Sequence, residues 1–263
     1  MAPLRWTSPL RRSTPPAAAS TGGRTIYAIG DVHGCSKLLE QLLASIVKDA
    51  ATAGGPQRPV VVLMGDYVDR GEDSRGVIDQ AVALAQSGRF EVHALKGNHE
   101  DTLLAFLTDP AVGPTWADFG GLETLASYGV APPRPRAGAA AWAKASEDLG
   151  EALPPAHLAF FSRLELTVSF GDYLFVHAGV RPGVPLARQS EHDLLWIRDE
   201  FLRASAPSEK TVVHGHTPEL EPFLGAHRIG IDTGAYATGV LTAVKLRDAE
   251  RSVLQARAGR GRA

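Results

Sequence analysis

Six side chains able to bind metal, Asp31, His33, Asp66, Asn98, His177 and His216, each stand in a short glycine-containing stretch that follows an apolar run. The stretches read Gly30-Asp31-Val32-His33-Gly34, Gly65-Asp66-Tyr67-Val68-Asp69-Arg70-Gly71, Gly97-Asn98-His99-Glu100, His177-Ala178-Gly179 and His214-Gly215-His216-Thr217. Carboxylates, imidazoles and an amide without a thiolate suit Mn, Fe or Zn better than a structural zinc site, which favours cysteine. Six such groups exceed one tetrahedral site and fit two cations sharing a carboxylate, about 3.5–4 Å apart in two-metal hydrolases. Asp66 is the natural shared ligand because its stretch is the middle one of the first three. The same stretch adds a second carboxylate, Asp69, and a guanidinium, Arg70. A glycine at each end frees the backbone so that these charges can converge on a small volume.

The elements that must position these groups follow from the apolar patterning. Thr25–Ile29, Pro59–Met64 and Phe90–Leu95 read as strands, and the first two are followed by helical periodicity, through Leu38, Leu39, Leu42, Leu43, Ile46 and Val47, then Val77, Ile78, Ala81 and Leu84. Ser36 and Ser74 are the expected N-caps, and a third helix is expected over Asp101–Leu107 after a Gly97–Glu100 loop. Right-handed crossovers in three β-loop-α units would bring the polar strand ends to one edge of one sheet. Residues 110–155, rich in Pro, Gly and Ala, read as a small helical cap insertion in which Trp116 and Trp142 seal an apolar seam. Beyond a helix at Pro155–Ser162, strands at Leu164–Phe170, Tyr173–Val176, Thr211–Val213, Ala226–Ile231, Gly239–Leu246 and Ser252–Leu254 follow one another. Their succession predicts a second, mixed or antiparallel sheet packed on the first.

At 263 residues the chain can bury one sizeable core. Its 27 basic and 29 acidic residues nearly cancel, which argues against a polyanion-coating protein, so no nucleic-acid partner is expected. The single cysteine, Cys35, cannot form an internal disulfide and reads as a small apolar residue at a helix start. No run of eighteen apolar residues is present, so no membrane span is expected and the protein is read as cytoplasmic. Residues 1–23 and 256–263 read as a disordered arm and a basic tail around a domain at 24–255; Pro9 and Arg11-Arg12 interrupt any signal-like segment.

Taken together, the five stretches resemble the signature of the phosphoprotein phosphatase branch of the calcineurin-like metallophosphoesterases, over about Thr25 to Arg247. The resemblance implies an α/β, four-layer αββα sandwich of two mixed sheets flanked by helices. It implies two divalent cations, manganese first with iron or zinc as alternatives: Asp31 and His33 on one, Asn98, His177 and His216 on the other, Asp66 between them. A metal-bridging hydroxide would hydrolyse phosphomonoesters by direct attack, on phosphoserine or phosphothreonine, or on phosphotyrosine, in a phosphoprotein or phosphopeptide substrate. His99 resembles the acid that protonates the leaving alkoxide and Asp69 the carboxylate that orients it; Arg70 and Arg198 resemble the phosphate-gripping arginines. The alternatives are a symmetric diadenosine tetraphosphate hydrolase, a small-molecule phosphomonoesterase or a non-catalytic phosphoprotein-binding module. The tetraphosphatase branch typically has alanine where Asp69 stands and aspartate where Glu100 stands, and neither the ligand set nor the acid is vacant here. Lys96 replaces an arginine common among relatives, Tyr236 follows Asp232-Thr233-Gly234-Ala235 in a loop that ends in Asn-Tyr in eukaryotic members, and His214 reads as a strand-end residue behind His216.

Overall fold

The computed structural model describes residues 19–53, 57–204 and 208–259. The first sheet begins with three parallel strands, β1 (Thr25–Ile29), β2 (Val60–Leu63) and β3 (Glu91–Ala94). They are linked through α1 (Ser36–Ala53) and α2 (Ser74–Gln86), and β3 leads to α3 (Asn98–Thr108). Every residue of β2 is buried, which is why its sequence is an unbroken apolar run rather than an alternation. The pleat assigns the two faces. Tyr27, Ile29, Val61 and Leu63 pack with Leu39, Leu42, Val77 and Ile78 of the helices, whereas Ile26, Ala28, Val60 and Val62 pack against a second sheet through Tyr173, Phe175 and Val213.

The insertion supplies α4 (Gly113–Ala117), α5 (Gly121–Ser127) and α6 (Ala139–Ala152), and α7 (Pro155–Phe161) follows. The second sheet contains β4 (Thr167–Phe170), β5 (Tyr173–Val176), β6 (Thr211–His214), β7 (Phe223–Leu224) and β8 (Arg228–Gly230), in the order β4-β5-β6-β8-β7. Between β5 and β6, α8 (Glu191–Trp196) and α9 (Asp199–Leu202) bring Leu194, Ile197 and Phe201 onto the outer face of this sheet, against Leu174, Val176 and Val212. Two mixed sheets flanked by helices result, the expected sandwich.

The last strands differ from expectation in one respect. After α10 (Ala235–Thr238), β9 (Val240–Arg247) and β10 (Glu250–Arg257) return to the first sheet, in the order β10-β9-β1-β2-β3. Val244 and Leu246 of β9 bury between the sheets while Leu241 and Ala243 bury toward the helices. A strand apolar on both faces needs cover on both, and the position beside β1 provides it. β10 reaches Arg257 and buries Ala256, so residues 256 and 257, expected in the tail, belong to the sheet, and residues 260–263 lie outside those described. At the other end, residues expected in the arm are tied down: Ser20 Oγ and the Gly23 N–H donate to Asp248 Oδ1 at 2.8 and 3.0 Å, while residues 1–18 lie outside those described. Three helix starts also shift: Ser36 is the first residue of α1, and Cys35 before it holds the cap position, its carbonyl accepting the Leu39 N–H at 3.1 Å. Asp73 rather than Ser74 caps α2, accepting from the Gly76 N–H at 2.9 Å. The Gly97–Glu100 stretch is the first turn of α3, with Glu100 reaching back to the Gly97 N–H at 3.0 Å. Among the described residues, no helix is long and apolar enough to cross a membrane.

Candidate metal centre

The carboxyl ends of β1, β2, β3, β5 and β6 deliver Asp31, His33, Asp66, Asn98, His177 and His216 to one edge of the sandwich, where all six are buried. The backbone there is held tightly. His33, Asp66, Asp69, Arg70 and His216 all have positive φ, between 44° and 71°, a region that costs a non-glycine residue of the order of 1–3 kcal/mol. Glycine is needed at two close approaches: a Cβ at Gly97 would lie 2.1 Å from Asp66 Oδ1, and one at Gly215 would lie 2.0 Å from Asp31 Oδ1.

The hydrogen bonds fix which ring nitrogens are free. His33 Nδ1 lies 2.8 Å from the Val68 carbonyl and His177 Nδ1 lies 2.9 Å from the Met64 carbonyl. A carbonyl only accepts, so both Nδ1 atoms carry hydrogen and the Nε2 lone pairs point inward. Burial keeps these rings neutral, lowering the pKa of His177 and pushing that of His33 down to about 3 against the pull of Asp66. His33 Nε2 therefore faces Asp66 Oδ2 at 3.4 Å, and His177 Nε2 faces Asp66 Oδ1 at 3.3 Å and Asn98 Oδ1 at 3.0 Å. Lone pairs set against acceptors repel unless a cation lies among them.

Other atoms point the same way. His216 Nε2 and Asp31 Oδ1 are buried without any hydrogen-bond partner, although Asp31 Oδ2 accepts the His216 N–H at 2.9 Å. Burial, followed by the charges of Asp232 and Asp66, raises the Asp31 pKa well above the ordinary carboxylate range. Such an acid gains most from a cation. Two three-residue groups, His33/Asp66/His99 and Asp66/His177/His216, each place their ligand atoms within 4.8 Å of one another, and Asp66 belongs to both. The donor set thus fits two cations around a shared Asp66. Asp31 stands outside both groups, and His99 takes its place beside His33.

Around this centre, His99 Nδ1 lies 2.6 Å from Asp69 Oδ2 and its Nε2 accepts from Arg70 Nη2 at 3.1 Å. Burial opposes charge on His99, but Asp66 and Asp69 outweigh it and raise its pKa. Arg70, Asn98, His99, Trp196 and Arg198 line one cleft of about 370 Å³. Arg198 is steadied by the His216 carbonyl at 3.1 Å and Thr217 Oγ1 at 3.2 Å. The larger hollow, about 850 Å³ around Val184, Phe201 and His227, is lined by none of these groups.

Sequence reasoning missed several contributors. Glu100 is fully buried, and its two oxygens accept the N–H groups of Asp66, Tyr67, Val68 and Gly97 at 2.8–3.2 Å, clasping the Asp66 loop. Burial and Asp66 push its carboxyl pKa up, but four N–H donors leave no lone pair for a proton and hold it ionised. Trp116 does pack in the expected seam, against Phe106, and its indole N–H also donates to Asp69 Oδ2 at 2.8 Å. Tyr236 faces the site: the Arg70 guanidinium lies 4.7 Å from its ring centre and the His33 ring stands edge-on at 5.4 Å. Lys96 is taken up by Asp101 and Glu191 at 2.6 and 3.0 Å. His214 is buried behind His216, as expected, and burial, then Glu72, pushes the Cys35 thiol up to about 11.

A sandwich of two sheets with a shared-carboxylate His/Asp centre at its edge is the architecture of a metallophosphoesterase. The family described as calcineurin-like phosphoesterase matches residues 24–240, and the chain belongs to it. The asymmetrical bis(5'-nucleosyl)-tetraphosphatase PrpE of Oceanobacillus iheyensis is 27% identical over 245 residues, 86% of this chain and 90% of that protein. Serine/threonine-protein phosphatase 1 of Salmonella typhimurium is 28% identical over 228 residues, covering 85% and 92%. A solved structure provisionally described as a diadenosine tetraphosphatase superposes with a TM-score of 0.61 at 20% identity, over 92% of this chain and 98% of that one.

Proposed function

We propose that this chain is a metal-dependent protein phosphatase that hydrolyses phosphoserine and phosphothreonine monoesters. Asp31, His33, Asp66, Asn98, His177 and His216 would hold two divalent cations, manganese first, with iron or zinc as alternatives. Bound there, the cations would supply a nucleophilic water near neutral pH and polarise the phosphoryl oxygens. Arg70 and Arg198 offer the guanidinium forks that match phosphoryl oxygens. In the free enzyme Arg70 donates to His99 Nε2; once Arg70 turns to a phosphoryl oxygen, that nitrogen is released to carry a proton toward the leaving oxygen.

The observation that carries this reading is the buried His99–Asp69 pair at 2.6 Å. A serine or threonine alkoxide is a poor leaving group and requires a proton as the P–O bond breaks, which an imidazole steadied by a carboxylate supplies. Cleavage of a dinucleotide tetraphosphate expels a nucleotide, a good leaving group with little need of this apparatus. The likeness to PrpE, over 86% of this chain and 90% of that protein, supports that second reading. The test is turnover of phosphoserine peptides against diadenosine tetraphosphate by the manganese-reconstituted enzyme. Higher kcat/KM on the peptides is expected, and a strong preference for the dinucleotide would overturn the proposal.

A further inference from the structure

The insertion hydrogen-bonds to the catalytic loop where Asp69 and Arg70 sit. Asp69 has 0% exposure, so no solvent completes its hydrogen bonds. Its Oδ2 is shared by His99 Nδ1 at 2.6 Å and Trp116 Nε1 at 2.8 Å, and its Oδ1 accepts from Thr124 Oγ1 at 2.6 Å. Thr124 Oγ1 in turn accepts the Asp69 N–H at 2.8 Å, an N–H that Ser74 Oγ shares at 3.1 Å, so the Thr124 hydroxyl holds the carboxylate and, with Ser74, its left-handed backbone. The neighbouring Arg70 N–H donates to the Gly120 carbonyl at 3.1 Å.

We propose that Trp116 and Thr124 are positioning residues for the proton donor, acting on His99 through Asp69. The inference rests on reading His99 as the acid. An indole N–H only donates, and a carboxylate only accepts, so Trp116 and Thr124 pin two of the directions in which Asp69 can be used. The imidazole must then approach Oδ2 along what remains, which sets the ring's tilt and the aim of Nε2. Without either donor, a buried carboxylate oxygen loses a partner and the carboxylate gains freedom to rotate. The imidazole follows it, and proton delivery is degraded while the cation ligands stay in place.

The discriminating property is the basicity of the leaving group. Thr124→Val keeps the side chain's size and removes the hydroxyl, Thr124→Ser restores it, and Trp116→Phe removes the indole N–H. General acid catalysis contributes about 10²–10⁴-fold; partial misorientation should therefore lower kcat on a phosphoserine peptide by about 10-fold in Thr124→Val and Trp116→Phe. On p-nitrophenyl phosphate, whose leaving group needs little protonation, the loss should be about 2-fold. Thr124→Ser should recover most of the peptide rate. A readout independent of turnover is the Trp116 indole ¹H–¹⁵N resonance, expected downfield and slow to exchange, and moved to an ordinary position by Asp69→Asn. Equal losses on both substrates, no loss in folded variants, or an ordinary indole resonance in the wild type would overturn the proposal. His99→Ala separates the two levels of argument. If it shows no leaving-group dependence, the acid assignment and this inference fall together; if it does while Thr124→Val and Trp116→Phe do not, only this inference falls.

Discussion

Glu100→Gln changes one atom of the clasp that holds the Asp66 loop. Oε1 accepts from Tyr67 and Val68, at 2.8 and 3.2 Å, and Oε2 from Asp66 and Gly97, at 2.8 and 3.0 Å. Glutamine keeps one oxygen, so whichever way its amide is turned, an NH₂ group faces two backbone N–H donors. Two hydrogen bonds to a charged acceptor are lost, at about 1.5–3 kcal/mol each. Relief from burying a charge returns part of this, leaving a destabilisation of about 3 kcal/mol, a large fraction of the ~5–15 kcal/mol that holds a typical domain folded. The assay is urea unfolding in the presence of a chelator, so that lost cation affinity does not enter the measured stability. Thermal unfolding under the same conditions should fall by about 6–12 °C. A variant within about 0.5 kcal/mol of wild type would refute the reasoning, because it would mean that the four N–H groups do not depend on a charged carboxylate.

Three further outcomes are expected. His99→Ala should retain its metal content while losing about 10²–10⁴-fold in kcat on a phosphoserine peptide and far less on p-nitrophenyl phosphate; equal losses would remove His99 from the acid role. Asp66→Asn should lower metal occupancy by elemental analysis, since one carboxylate belongs to both ligand groups, and two full equivalents in that variant would contradict the shared role. Gly215→Ala should weaken cation binding measured by calorimetry, because its Cβ would lie 2.0 Å from Asp31 Oδ1, and unchanged affinity would show that Asp31 is not needed where it stands.

Much of this was legible in the sequence because the chemistry sits where strands stop. Unbroken apolar runs such as Val60–Leu63 announced buried parallel strands, and the Gly-Asp and Gly-Asn steps after them marked the loops. What stayed hidden depends on partners distant in the chain. The apolar pattern of Val240–Arg247 fits a strand in either sheet, and only its pairing with β1 decides between them. Glu100 read as a marker separating families because nothing local shows four N–H groups converging on it. Trp116 read as packing because hydropathy records its ring and not the carboxylate 47 residues earlier that its N–H meets. The start of α3 was obscured because its cap is a glycine, which lacks the side-chain oxygen that ordinarily signals a helix start.

The left-handed backbone at Asp69 and Arg70 has a consequence for anyone who would evolve or engineer this protein. Glycine adopts φ near +70° without penalty, so replacing Arg70 by glycine relieves strain at the same stroke that removes its chemistry, whereas at Asp69 that gain is outweighed by the buried donors of His99, Trp116 and Thr124 left without an acceptor. A library ranked by thermal tolerance alone would therefore drift toward inert molecules at position 70 while keeping the carboxylate at 69, as expected where a working site is held in its less relaxed form. Selection has to read phosphoester hydrolysis to keep the residues that matter.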